Sequence, residues 1–197
     1  MKPFVVVLAA LVLLLVGCQP PPFLSPSTTR DMPTCEELAQ NEATEHSLSW
    51  TSLAREDVAN YEFERGKSAV FVVDNPDKIA QISPYLREGA IETLRKINFD
   101  RQIVMIAFSG NVSSSSLTFC LSAVDLQNRI LTLHSNLIRP AVESAEQGAF
   151  YHMIQISRDE LPKGEIAIQL TKTIYPYYGP VLKEEQGIVA TTSAVLP

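Results

Sequence analysis

Glycine is scarce in this chain, at 8 of 197 residues, and no glycine-rich turn leads from a strand into a helix. No phosphate cradle of the nucleotide-binding kind is therefore encoded. Histidine is scarcer still, at 3 residues, and His46, His134 and His152 are scattered with no His-x-x-x-His or Cys-x-x-Cys pair. A metal centre has no ligand set here, and nothing calls for a cofactor. Basic side chains are outnumbered, 16 Lys and Arg against 22 Asp and Glu, and they form neither cluster nor stripe. An acidic chain repels a phosphate backbone, so nucleic acid is set aside as a partner. The longest apolar run, Phe4 to Val16, is 13 residues. Crossing a bilayer takes about 20.

The amino terminus does have Lys2, that apolar run, and then Gly17-Cys18, which is the layout of an export signal. The four residues Leu15-Val16-Gly17-Cys18 resemble the bacterial lipobox, in which a small residue precedes a cysteine. The resemblance implies that residues 1–17 are removed and that the Cys18 thiol becomes a thioether to diacylglycerol. Each buried methylene contributes about 0.8 kcal/mol, so two or three acyl chains anchor far more firmly than one. The expected location is the outer side of a cell membrane, or an outer membrane, since Gln19 stands where an aspartate would oppose onward sorting. Loss of Lys2 takes the net charge from −6 to −7.

Residues 18–44 read as the lipidated cysteine and a tether, with Pro20, Pro21, Pro22, Pro26 and Pro33 and no apolar period. Proline keeps such a stretch extended at about 3.1 Å per residue, so Gln19 to Thr34 spans up to roughly 50 Å. With Cys18 given to lipid, Cys35 and Cys120 remain. Export favours a disulfide between them. It would close a loop of roughly 85 residues and stabilise by about 4 kcal/mol. Two independent thiols, with Cys120 buried in a strand, are the other reading, and spacing leaves both open.

The folded part is expected over 45–173. Candidate strands are Ser49 to Leu53, Ala69 to Val73, Ile103 to Phe108, Leu117 to Leu126, Ile130 to Ile138, Phe150 to Ser157 and Glu165 to Thr173. They are read from alternating or compact apolar runs bounded by turn residues. Between the second and third, Ile79, Ile82, Leu86, Ala90, Leu94 and Ile97 recur at helical steps, interrupted by Pro84. The segment is either one kinked helix or two short ones. Strands running on after one helical segment predict an α+β fold: a mostly antiparallel sheet of about six or seven strands with the helical segment packed on one face. Residues 174–197, with Pro176, Gly179, Pro180 and Gly187, read as a loosely attached tail.

For a hydrolase, the candidate nucleophiles are the serines of Ser109-Gly110-Asn111-Val112-Ser113-Ser114-Ser115-Ser116, paired with His46, His134 or His152. The stretch lacks a Gly-x-Ser-x-Gly elbow, and a serine cluster between two apolar strands is ordinarily a solvated hairpin loop. His152 shares a strand face with Ile154 and Ile156 and reads as a hydrogen-bonded core residue.

One ordered set of features resembles the PrcB family, the carboxy-terminal domain named after a lipoprotein subunit of a bacterial surface protease complex. It runs from Ile97-Asn98-Phe99-Asp100 through Ile103 to Phe108, Ser109-Gly110 and a strand ending near Val124. It closes with Phe150-Tyr151-His152-Met153-Ile154-Gln155-Ile156, Arg158 and Leu161-Pro162. The resemblance covers about Trp50 to Leu170; the serine-rich loop after Gly110 departs from it. It implies a non-catalytic accessory or scaffold subunit for an exported partner such as a protease, and it carries over no site residues. The alternative is a lipoprotein that binds a small molecule or surface ligand in a cleft lined by Trp50 and Tyr151.

Overall fold

In the computed structural model residues 31–60, 62, 66–177 and 183–196 are described. The expected export signal, Cys18 and most of the expected tether lie outside them, as do Tyr178, Gly179 and Pro180. Eight strands form two four-stranded sheets packed face to face. The first holds β1 (Trp50–Asp57), β2 (Ala69–Val73), β3 (Gln102–Val112) and β6 (Gly148–Ser157) in the order β1-β6-β3-β2, antiparallel throughout. The second holds β4 (Thr118–Gln127), β5 (Ile130–Ile138), β7 (Gly164–Tyr175) and β8 (Glu184–Leu196) in the order β4-β5-β7-β8. Only β5 and β7 run parallel there.

The fold is α+β and mostly antiparallel, but the expected single sheet of six or seven strands is corrected to two sheets. Alternation tells which face of a strand is buried and is silent on which sheet the strand joins. The serine loop crosses from β3 in one sheet to β4 in the other, so it is not a hairpin. The turn between β4 and β5 is one: Asn128 and Arg129 take φ of 51° and 63°, both left-handed. A two-residue hairpin matched to strand twist requires that.

Regular structure extends beyond the expected 45–173 at both ends. Helix α1 (Cys35–Asn41) lies inside the expected tether. Thr34 caps it: the Glu37 N–H donates to Thr34 Oγ1 at 3.1 Å, and the Thr34 N–H donates to Glu37 Oε2 at 2.8 Å. A Thr-x-x-Glu box satisfies two orphan donors at once and starts a helix despite the prolines before it. α1 lies on the outer face of the second sheet through Leu38, Ile138 and the Cys35–Cys120 disulfide, whose Cα atoms are 6.1 Å apart. At the other end, residues expected as tail form β8, which pairs with β7 along most of its length. Its buried positions are the small Ala194 and the terminal Leu196, and its exposed ones include Thr191, Ser193 and Val195. Inner and outer positions therefore differ little in hydropathy, and no alternation shows.

Between the sheets, Ile103, Met105, Ile154 and Ile156 meet Leu121, Leu131, Leu133, Ile166, Ile168 and Leu170. The other face of the first sheet carries Val104, Ile106, Tyr151 and Met153. It is covered by a 3-10 turn at Pro76–Lys78, α2 (Ile79–Ile82), a second 3-10 turn at Ser83–Tyr85 and α3 (Glu88–Arg95). These supply Ile82, Leu86, Ala90, Ile91 and Leu94. Pro84 sits in the second turn and splits the helical period in two. Layers on both sides of β3 explain why Ile103 to Phe108 is an unbroken apolar run.

Candidate functional site

Of the buried polar side chains among the described residues, His152 and Lys172 each stand between the sheets beside a β-bulge. His152 is 2% exposed. Its Nδ1 accepts the Leu121 N–H at 2.8 Å, where β4 slips register against β5 between Leu121 and Ala123. The ring proton therefore sits on Nε2, which faces Ser52 Oγ at 2.8 Å, next to the register shift in β1 between Ser52 and Ala54. A bulge leaves a backbone group without its ladder partner, and the imidazole supplies one across the sandwich. Burial, with Arg55 nearby, lowers the His152 pKa to about 3. A serine nucleophile needs an unprotonated nitrogen facing its hydroxyl. The tautomer here is the reverse, so Ser52 is not activated.

Lys172, 8% exposed on β7, donates from Nζ to the Ser109 carbonyl at 2.7 Å and to Ser68 Oγ at 2.8 Å. Ser68 Oγ donates to the same carbonyl at 2.7 Å. That carbonyl lies where β3 slips between Phe108 and Asn111. Burial pushes the Lys172 ammonium below its ordinary range. With the Ser68 hydroxyl proton committed to Ser109, the pair serves the bulge.

The outer face of the second sheet carries a cleft of about 400 Å³ lined by Glu42, Thr44, Asp125, His134, Thr171 and Lys183 among others. His134 Nε2 faces Asp125 Oδ2 at 3.1 Å, and Nδ1 faces Thr171 Oγ1 at 3.3 Å. This is the acid–imidazole–hydroxyl order of a triad. Thr171, however, lies within β7 with β5 on one side and β8 on the other. The β7–β8 register slips on both sides of Thr171, and Thr171 Oγ1 donates to the Leu133 carbonyl at 3.4 Å, so its proton is spent on backbone and is not aimed at His134. Asp125 also accepts Ser47 Oγ at 2.6 Å and Thr44 Oγ1 at 3.2 Å, which pins residues 44–47 over the edge of β4. Nearby, Asn136 Nδ2 donates to Ser122 Oγ at 2.7 Å, and Ser122 in turn bonds Glu42 beyond α1.

The serine loop is bonded to itself and to Ser144. Ser114 and Ser115 Oγ lie 3.0 and 2.8 Å from Ser144 Oγ, and the Ser144 N–H donates to Ser116 Oγ at 3.0 Å. Ser109 Oγ accepts the Phe150 N–H at 2.9 Å. The histidines have other partners: His46 faces Glu45, His134 faces Asp125, and His152 faces Ser52. Trp50 and Tyr151 do not share a cleft. Trp50 packs edge-on against His152 in the sandwich, and Tyr151 lies under the helices on the other side of the same sheet. The Tyr151 hydroxyl donates to Glu56 at 2.6 Å and accepts the Arg87 N–H at 3.3 Å.

A larger cleft, about 860 Å³, opens at the end of the first sheet and is lined by Asp74, Phe99, Asp100, Arg158, Asp159 and Leu161 with four neighbours. Arg158 Nε donates to the Phe99 carbonyl at 2.6 Å, and its Nη2 reaches the Asp74 carbonyl. The Arg158 N–H donates to the Arg101 carbonyl at 2.9 Å. One guanidinium thus ties the end of β2, the turn before β3 and the end of β6 into one wall. Asp100 and Asp159 are exposed on its rim, and Asp74 is paired with Lys78 at 2.9 Å. Among the described residues no group of three or more His, Cys, Asp or Glu is placed to hold a metal ion. Neither a family model, nor a curated protein, nor a solved structure matches the chain.

Proposed function

We propose that the chain is a membrane-anchored, non-catalytic lipoprotein that holds an exported partner protein, such as a protease, on the outer side of a bacterial membrane. The cleft built around Arg158 is the contact surface. The carrying observation is convergence: Phe99, Asp100, Arg158 and Leu161, which belong to the features that resemble the PrcB family, line one cleft although up to about sixty residues separate them. The side chain that organises the wall spends its bonds on backbone, which leaves the acidic rim of Asp100 and Asp159 free for a partner. The anchor rests on Leu15-Val16-Gly17-Cys18, and the Cys35–Cys120 disulfide supports an exported, oxidising location.

The test is recovery of the tagged full chain from detergent-solubilised membranes. One exported protein at near-equal amount is expected, and it is expected to be lost from the Asp100→Lys, Asp159→Lys double variant. Recovery of membrane debris alone, or a partner indifferent to both charges, rejects the reading. Cys18→Ser is expected to move the chain out of the membrane fraction.

A further inference from the structure

A sandwich of two open sheets has four edge strands, and each exposes a row of unpaired backbone groups that invites another strand. Three are guarded here. The edge of β4 is covered: the Leu48 N–H donates to the Val124 carbonyl at 2.8 Å, the Leu126 N–H donates to the His46 carbonyl at 3.1 Å, and α1 lies alongside. β1 carries the charged Arg55, Glu56 and Asp57. β2 is five residues long.

The fourth edge, β8, is 13 residues long, and from Ile188 to Leu196 it holds no charge and no proline. Among the described residues nothing pairs with its outer side. Ile188 is 55% exposed and Val195 is 71% exposed. The order of side chains is also symmetric. Ile188-Val189-Ala190-Thr191-Thr192-Ser193-Ala194-Val195-Leu196 reads nearly the same from either end about Thr192.

We infer that β8 pairs antiparallel with β8 of a second copy of this chain, about a two-fold axis at Thr192, and so joins two second sheets into one. Ala190 then faces the second copy's Ala194, and Thr191 faces its Ser193. Val195 comes against the Ile188 and Val189 end of the other copy. The acidic residues Glu184 and Glu185 fall beyond the last paired residue, so no like charges meet.

The size fits. β8 slips against β7 at Val189, so Ile188 and Val189 together face one residue of the second copy. About seven paired residues make a strip about 24 Å long, and with β2 stacked beneath β8 it is roughly 20 Å deep including side chains. That is about 500 Å² on each copy, or about 1,000 Å² in all, at the roughly 1,000 Å² that a specific interface needs.

Val195 belongs both to this edge and to the lining of the Arg158 cleft, so the two proposals are told apart by the residues tested: Thr191 and Ser193 here, the acidic rim there. The full chain in detergent should sediment as a dimer. The Thr191→Lys, Ser193→Lys variant sets like charges directly opposite at two symmetric places and is expected to weaken association by roughly tenfold or more. The Thr191→Lys, Ser193→Glu variant sets opposite charges at the same places and should remain dimeric. Both sites are exposed on the outer face, and an unchanged circular dichroism spectrum reports that the variants fold. A wild-type chain that stays monomeric up to its solubility limit overturns the inference. So does a double-lysine variant that still dimerises, or a lysine–glutamate variant that does not.

Discussion

Exchanging His152 for glutamine tests whether its imidazole is a neutral strut between the sheets. The folded-state pKa is lowered from 6.5 to about 3, chiefly by burial. Above 6.5 the ring is neutral whether the chain is folded or not, and its full contribution is present. Below 6.5 the unfolded chain takes up a proton that the folded chain refuses until about 3. Proton binding to the unfolded state then draws the equilibrium toward unfolding, so stability falls with pH across that window. The slope approaches about 1.4 kcal/mol per pH unit, which makes the loss about 3 kcal/mol between neutrality and about pH 4.5. Glutamine can still offer an oxygen to the Leu121 N–H and an N–H to Ser52, but it does not titrate. Urea unfolding of both chains at matched pH should show wild type losing that margin relative to His152→Gln, with His46 and His134 cancelling because both proteins keep them. Parallel profiles would show that the native fold accepts the proton freely, and the strut argument would fail.

Gly110→Ala should cost about 2 kcal/mol or more: the new Cβ would stand 2.7 Å from the Ser68 nitrogen and 2.8 Å from the Gly66 oxygen, at φ of +71°; a drop in melting temperature checks it. Lys172→Ala removes the donor to the Ser109 carbonyl and leaves a void, so a loss of about 2–4 kcal/mol in chemical denaturation is expected. Reducing the Cys35–Cys120 bridge should lower stability by about 4 kcal/mol. Hydrogen exchange should then speed first in α1 and residues 44–48, and rates rising evenly over the whole sandwich would contradict the view that this segment is clasped on.

What the sequence made legible follows from which forces act locally. The helical period, the break at Pro84 and the apolar run of β3 each depend on neighbours within a few residues, and each is found in place. Sheet membership depends on contacts across the chain, so two sheets were read as one. β8 escaped notice because Ala190, Thr192 and Ala194 are small and only half apolar as a row, suited to the inner side of a strand at the sandwich edge. The start of α1 was legible in the Thr34 and Glu37 spacing, but the prolines before it dominated the reading. The clefts were not legible at all: Arg158 finds Phe99 and Asp74 only through the register of β6 with β3 and of β3 with β2.

The residues that look most chemical in this chain are those its bulges require. Each register slip strands a backbone group in a region too dry for water to serve, and an unpaired buried group costs about 1–3 kcal/mol. A long polar side chain from a facing or neighbouring strand is the economical remedy: His152 reaches across to Leu121, and Lys172 reaches Ser109. Once so committed, these groups are poor reagents, because the imidazole's lone pair is already occupied and the ammonium spends two of its three N–H bonds in the interior. Among the described residues, groups open to other molecules include the acidic rim near Arg158, the His134 cleft and the edge of β8. The rim and the edge are suited to gripping another polypeptide. That division of labour agrees with the proposal that the chain holds another protein.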